Sequence, residues 1–206
     1  MAGWWDGRWQ NGRREVGARG KIIVQQLVTL DGFAADTEND VSFFESVTDW
    51  AESDADQLRF LDSLSVIALG SRTYRMFAGF WPTEQSSREI IAEKLNALDK
   101  VVFSRSLERA PWGEYPDCRV VAGDAAVALR EIANEASGAV VVWGSLSLTD
   151  QLFQAGAVDE IRWRICPIVL GSGRRALPTG YSTGAMRLLG SKEYDSGLLT
   201  VDYELL

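Results

Sequence analysis

Short apolar runs separated by amphipathic stretches divide most of the chain into alternating strand and helix segments. β-Branched and aromatic residues fill the apolar runs, which is typical of strands buried on both faces. The predicted strands are 21–30, 65–69, 100–103, 119–122 and 140–143. Apolar residues recur at helical spacing in 48–63, 74–77, 87–98, 124–136 and 145–156. This order predicts an α/β protein with parallel strands and helices on both faces of the sheet.

The pattern changes after residue 160. Positions 161, 163 and 165 are apolar and alternate with Arg162 and Arg164, which predicts a strand with one buried and one solvated face. Two further strands, 186–193 and 198–206, flank a turn at 195–197. The expected architecture is therefore a three-layer α/β/α domain whose central sheet is mixed and ends in an antiparallel C-terminal hairpin.

The first 20 residues differ in character from the rest. They hold Trp4, Trp5 and Trp9, show little periodicity, and have a net charge of 4 − 2 = +2, against 17 − 27 = −10 for residues 21–206. We predict a disordered N-terminal extension over 1–20 and a single domain over 21–206. The alternative is a tail whose tryptophans dock on the same chain or on a partner.

Composition narrows the classes of partner. The chain has 206 residues and a formal net charge of −8, so its overall charge does not favour nucleic acid or an anionic membrane surface. Apolar runs stay well short of the roughly 20 residues that a membrane span needs, and we expect a cytoplasmic protein. Cys118 and Cys166 lie far apart, which indicates free thiols in a reducing compartment, with a disulfide as the alternative.

The chain contains no histidine. This excludes Ser-His-Asp and Cys-His catalysis, and with two cysteines we predict no metal site. Any proton transfer falls to Asp, Glu, Tyr, Lys or water.

Three predicted strand ends carry glycine, serine or arginine. These are 70–73, 104–105 and 144–145. Carboxyl ends of parallel strands meet at one edge of a sheet, which is where ligands bind. Glycine turns that open helices supply free N–H groups, with Ser145 as the predicted helix cap, and arginines supply forked donors. We predict a phosphorylated, nucleotide-sized ligand; the alternative for 140–148 is an ordinary strand-to-helix turn.

Six short motifs occur in an order that resembles a known family. They are T-L-D-G (29–32), G-S-R-T-Y (70–74), F-A-G-F-W-P (77–82), K-V-V-F-S-R-S-L (100–107), V-W-G-S-L (142–146) and C-P-I-V-L-G-S-G (166–173). Together they resemble the dihydrofolate-reductase-like proteins of the RibD C-terminal domain family, over residues 21–206. That family comprises the reductase domain of bacterial riboflavin biosynthesis and many stand-alone relatives.

The resemblance implies a dihydrofolate-reductase-like fold, NADPH as cofactor and a homodimer. By position, the cofactor-binding residues would be Thr29, Gly32, Gly70, Ser71, Arg72, Thr73, Ser104, Arg105, Gly144, Ser145 and Leu146. Two positions depart from the family pattern. Ser71 stands where the family commonly has arginine, and Ser145 stands where it commonly has a second glycine.

The proton donor is predicted from the loop that would border the nicotinamide. Asp31 is the candidate, with Asp36 and Asp40 as alternatives, and each is also an ordinary turn-forming residue. Four aromatic residues would either stack on a planar substrate or belong to the core: Phe33, Phe43, Phe44 and Trp81.

The function predicted from these features is an NADPH-dependent reductase of a small, pterin-like or pyrimidine-like substrate. Because no deaminase segment with zinc-binding His and Cys accompanies the domain, we expect a stand-alone relative with its own substrate. The alternatives are a non-catalytic dinucleotide-binding or regulatory homodimer of the same fold, and a structural dimerisation module.

Overall fold

An eight-stranded sheet forms the centre of the computed structural model, which describes residues 20–206. The strands in chain order are β1 (Ile22–Thr29), β2 (Phe33–Ala35), β3 (Leu64–Gly70), β4 (Asp99–Phe103), β5 (Arg119–Val121), β6 (Ala139–Trp143), β7 (Glu160–Cys166), β8 (Arg174–Arg175), β9 (Met186–Glu193) and β10 (Leu199–Leu205). The helices are α1 (Ala51–Leu61), α2 (Ser71–Ala78), α3 (Ala92–Ala97), α4 (Ala125–Glu135) and α5 (Leu146–Gln154). The predicted N-terminal extension, up to residue 19, lies outside the described residues.

The strand order in the main sheet is β5-β4-β3-β6-β1-β7-β10-β9. Strands β5 to β7 in this order pair in parallel, whereas β10 is antiparallel to both β7 and β9. The predicted mixed sheet with an antiparallel C-terminal hairpin is therefore confirmed.

Two apolar cores lie on opposite faces of this sheet, because neighbouring residues of a strand point to opposite sides. Val24 and Val142 pack with α4 and α5 on one face, whereas Ile23 packs with α1, α2 and α3 on the other. At the start of α4, the Asp124 carboxylate caps the helix by accepting the N–H groups of Ala126 and Val127 at 2.9 and 3.1 Å. Helix layers on both faces confirm the three-layer architecture.

The prediction of a solvated face on β7 is wrong, because Arg162 and Arg164 are both buried. Arg164 donates to the Ser53 hydroxyl at 2.9 Å and to the Asp54 carboxylate at 3.1 Å, both on α1. Arg162 donates to the Asp202 carboxylate of β10 at 2.9 Å. Acidic and hydroxyl partners on α1 and on the neighbouring strand β10 therefore make a charged strand face compatible with burial.

Several element boundaries also differ from the predictions. The segment 33–40, in which no strand or helix was predicted, contains β2, which pairs with β8 in a separate two-stranded sheet. Helix α3 begins at Ala92 and is preceded by a 3₁₀ turn at Glu84–Ser86, whereas a helix from 87 was expected. Strands of two or three residues are too short to show a period in the sequence.

Arg130 on α4 fastens the beginning of β1 at the amino edge of the sheet. Its guanidinium donates to the Gly20 carbonyl at 2.7 Å, to the Asp159 carboxylate at 3.0 Å and to the Ala157 carbonyl at 3.0 Å. The same carboxylate accepts the N–H of Ile22 at 2.7 Å. This arrangement joins α4, the start of β1 and the segment before β7 at the edge opposite the carboxyl ends of the parallel strands.

Two further expectations can be compared with the described residues. Cys118 and Cys166 are free, as predicted, and both are buried. Within residues 20–206 no helix has the length and apolar character that would let it cross a membrane.

Candidate functional site

A cleft of about 910 Å³ opens at the carboxyl ends of the parallel strands. Its volume lies in the range of small-molecule sites, roughly 300 to 1,000 Å³. The predicted cofactor residues that line it are Gly70, Ser71, Arg72, Thr73, Ser104, Arg105, Gly144, Ser145 and Leu146. The structure thus brings the three predicted strand ends together around one space.

Helix α2 begins at one wall of the cleft. Gly70 precedes it with extended backbone (φ −80°, ψ 160°), and residues 71–73 form its first turn. The N–H groups of a first helical turn have no partner within the helix, and the helix dipole makes this end positive. The first turn of α2 can therefore hold an anionic group.

Helix α5 begins at the adjoining wall, after two successive left-handed residues. Gly144 has φ 62° and Ser145 has φ 63°. A Cβ on Gly144 would lie 3.1 Å from the Thr73 Cγ2 atom, so glycine allows α2 and the α5 turn to approach closely. Left-handed backbone costs a serine about 1 to 2 kcal/mol relative to its usual conformations, so its surroundings must hold it there.

The predicted capping role of Ser145 is wrong. Its hydroxyl does not cap α5. It accepts the N–H of Gly70 at 2.7 Å and donates to the Trp143 carbonyl at 3.3 Å. The left-handed conformation directs the side chain towards β3 instead of the first turn of α5.

Gln26 on β1 is a cleft residue that the sequence analysis missed. Its amide donates to the Gly144 carbonyl at 2.8 Å, and its side chain is almost fully buried. The neighbouring Gln25 points to the other face, where it exchanges two 3.1 Å hydrogen bonds with Gln57. The sequence did carry a signal for this role, namely two adjacent glutamines in a mostly apolar strand.

Arginine side chains surround the cleft. Arg72 and Arg105 are exposed, and within residues 20–206 neither forms an ion pair. Arg174 also lines the cleft and is held loosely, 3.8 Å from Asp150 and 3.5 Å from Asn39. The Ser104 hydroxyl accepts the N–H groups of residues 106 and 107, at 3.2 and 3.1 Å, and so orders the loop that carries Arg105.

Apolar residues that were not predicted from the sequence complete the walls of the cleft. Phe103, Val121 and Gly123 line the end near α4, and Gly123 (φ 112°) has open space where a Cβ would be. Phe77 and Trp143 contact each other edge to face at 5.8 Å between ring centroids, and both line the cleft. These walls suit the flat faces of aromatic rings.

Thr29, Asp31 and Gly32 lie beside the cleft and are absent from the described residues that line it. The Asp31 carboxylate accepts the Thr29 hydroxyl at 2.6 Å and the N–H groups of Gly171 and Leu170 at 2.7 and 3.2 Å. The Thr29 hydrogen bond in particular lowers the pKa of Asp31, with further contributions from the two backbone donors. The geometry favours an ionised Asp31 that ties the end of β1 to the 167–173 loop.

The alternative acids differ in environment. Asp36 accepts the N–H groups of Glu38 and Asp40 at 2.8 Å, which makes it a turn residue. Asp40 lines the cleft, and the N–H of Val41 lowers its pKa. Asp150 on α5 was not among the predicted donors and is not among the described residues that line the cleft; burial raises its pKa, although the Arg174 guanidinium opposes this shift.

The predicted stacking aromatics lie elsewhere. Phe33 and Phe43 are buried, Phe44 is exposed, and Trp81 packs against Phe77. None of the four is among the described residues that line the cleft. Within residues 20–206 no cluster of three or more potential metal ligands occurs.

Comparison with known proteins identifies relatives of this fold. Residues 20–200 match the family model described as RibD C-terminal domain. The uncharacterized Bacillus subtilis (strain 168) protein YyaP is 22% identical over 188 residues, which cover 89% of this chain and 94% of that protein.

Solved structures share the fold at low sequence identity. A Shewanella sp. PV-4 protein named for riboflavin biosynthesis superposes with a TM-score of 0.72 at 17% identity, covering 90% of this chain and 99% of that one. Dihydrofolate reductase from Enterococcus faecalis, complexed with NADP(H), gives a TM-score of 0.52 at 13% identity, covering 90% and 95% of the two chains. These likenesses confirm the dihydrofolate-reductase-like fold.

Proposed function

Because the chain belongs to the RibD C-terminal domain family, we propose that it is an NADPH-dependent reductase of a small pterin-like or pyrimidine-like substrate. One observation carries the proposal: two helix starts and two arginines without ion pairs in the described chain converge on one cleft. The family and the dihydrofolate-reductase-like fold support a reductase in general. The cofactor and the substrate class are our inference.

The donors in the cleft fit a dinucleotide. The first turns of α2 and α5 would hold its phosphates, since each presents N–H groups and a positive helix end. Arg105 and Arg72 would bind the 2′-phosphate, because guanidinium groups form paired hydrogen bonds with phosphate oxygens. The apolar wall at Phe103 and Gly123 would receive the adenine. When bound, NADPH supplies the hydride, and the chain's own residues bind and orient it and exclude water.

Thermal melting with NADPH and with NADH tests the cofactor. A ligand that binds only the native state at a hundredfold excess over its Kd adds about 2.7 kcal/mol of stability. We expect a clear rise in Tm with NADPH and a smaller rise with NADH. Arg105→Ala should reduce the NADPH effect and leave the NADH effect unchanged. Arg88→Ala is the control, because Arg88 is exposed and outside the cleft.

Each outcome of this experiment has a distinct meaning. Equal shifts with both dinucleotides would show relaxed cofactor choice and contradict the assignment of Arg105. No shift with either would contradict the reductase. Binding without substrate-dependent NADPH oxidation, across a panel of pterins and pyrimidines, would support the non-catalytic alternative.

Asp31 is poorly suited to donate a proton. Hydrogen bonds lower its pKa, and it is not among the described residues that line the cleft. An acid must be protonated at working pH to serve as a donor. In assays of NADPH oxidation with a reducible substrate, Asp31→Asn should therefore act mainly through stability. A loss in kcat of at least tenfold, about 1.4 kcal/mol, would return the role to Asp31.

A further inference from the structure

We propose that Gln26 and Ser145 are positioning residues that fix the turn between β6 and α5 so that its backbone can bind a phosphate group. This inference rests on the proposed dinucleotide site and assigns the side chains that build it. Neither side chain would act by touching the phosphate, because the Gln26 amide nitrogen and the Ser145 hydroxyl are already engaged with the protein backbone.

Gln26 determines the orientation of one peptide group. The Gly144 carbonyl and the Ser145 N–H belong to the same peptide unit, and within residues 20–206 there is no cis peptide bond. In a trans unit these two groups point in opposite directions. The buried Gln26 amide holds the carbonyl at 2.8 Å, so the Ser145 N–H points away from β1. The Ser145 N–H, at the positive end of α5, is therefore available to bind a ligand.

Ser145 determines the separation of the two helix starts. Its hydroxyl receives the N–H of Gly70, the residue that precedes α2, at 2.7 Å. A Cβ on Gly70 would lie only 3.3 Å from the Ser145 Cβ, so the two turns are in contact. A glycine at 145 would keep the left-handed backbone but lose this connection. The Ser145 hydroxyl thus keeps the turn between β6 and α5 rigid through a direct hydrogen bond to the residue before α2.

Gln26→Leu, with Gln25→Leu as its matched control, tests the first role. The two amides are adjacent on β1, 4% and 1% exposed, and face opposite sides of the sheet. NADPH affinity is measured by calorimetry and by fluorescence energy transfer from tryptophans near the cleft, such as Trp143, to the bound cofactor. Stability is measured by urea unfolding. We expect both variants to lose similar stability, whereas only Gln26→Leu raises the Kd, by about tenfold.

Ser145→Gly and Ser145→Asn test the second role. Glycine should raise the Kd for NADPH about tenfold with little loss of stability, because the backbone strain is relieved as the hydrogen bond is lost. Asparagine tolerates left-handed backbone and carries an acceptor for the Gly70 N–H, so it should restore affinity to within about threefold.

The possible results separate this inference from the proposed function. If the unsubstituted chain does not bind NADPH, the proposed function fails and this inference fails with it. If it binds NADPH, and Gln26→Leu binds as tightly as Gln25→Leu or Ser145→Gly binds as tightly as the unsubstituted chain, only the positioning role is overturned.

Discussion

Single residues shape the cleft mainly through the backbone conformations and close contacts that they permit. Gly144 and Gly156 have almost the same left-handed backbone, with φ 62° and 63°. Their surroundings differ, because a Cβ at Gly144 would press on Thr73 and one at Gly156 would meet open space. The pair therefore separates the cost of the conformation from the cost of the contact.

Gly144→Ala and Gly156→Ala should differ in both stability and binding. Gly156→Ala should lose about 1 kcal/mol of unfolding free energy, the cost of a left-handed alanine, and leave NADPH affinity unchanged. Gly144→Ala should lose at least about 2 kcal/mol and weaken NADPH binding, since Thr73 and the first turn of α2 must move. Urea unfolding and calorimetry measure the two quantities. Equal effects of the two substitutions on binding would contradict a role for close packing at Gly144.

The site residues could be predicted where a chemical rule connects them to strand ends. Gly70, Arg72 and Gly144 were found because ligand sites in α/β sheets gather at carboxyl ends, and the three predicted strands do end there. Gln26 was missed because its role depends on a carbonyl more than a hundred residues away in sequence. The capping prediction for Ser145 failed since a sequence does not show that the preceding turn is left-handed.

Among the secondary structure elements, β7 shows most clearly how burial departs from residue type. Its alternation of apolar residues and arginines is the pattern of a half-exposed strand, but α1 covers the arginine side. Ser53 and Asp54, on the first turn of α1, face Arg164, and the Trp50 ring lies beneath its guanidinium at 4.9 Å. The long apolar run of β6, in contrast, predicted its strand correctly, because apolar side chains favour burial whichever element packs on them.

Removing one member of this buried pair should cost more than removing both. Arg164→Met leaves the Asp54 carboxylate, 14% exposed, without its cation, and should lose about 3 to 5 kcal/mol of unfolding free energy. The double variant Arg164→Met/Asp54→Ala should recover a substantial part of that loss, because the unpaired charge is gone. Urea unfolding of the two single variants and the double variant provides the coupling energy. Additive losses would show that the pair is energetically independent.

For the whole molecule, stability depends on pH through groups buried in the cores. Burial raises the pKa of the Cys118 and Cys166 thiols from 9.0 to about 11. Burial lowers the pKa of the Lys100 ammonium from 10.5 to about 8. The folded state therefore keeps two thiol protons that the unfolded state releases, and releases one ammonium proton that the unfolded state keeps.

The free energy of unfolding should pass through a maximum near pH 9. From about pH 8 to 9 the unfolded state binds the extra Lys100 proton, so stability rises with pH. From pH 9 to about 11 the two retained thiol protons outweigh it, so stability falls. Cys166→Ala should flatten the alkaline decline by about 2 kcal/mol between pH 9 and 11, since one pKa unit corresponds to about 1.36 kcal/mol and most of the two-unit shift is titrated in that interval. Urea unfolding as a function of pH measures this, and an unchanged decline in Cys166→Ala would contradict burial as its cause.

The hydrogen bonds that Arg130 makes at the amino edge of the sheet have a practical consequence for attaching the protein to a surface. Gly20 is held there, while the cleft opens at the other end of the parallel strands. Along β1 the two ends are separated by eight residues, roughly 26 Å of extended chain. A sensor chip that captures a variant beginning at Gly20, through a tag fused to that residue, would therefore hold it with its cleft facing the flowing solution.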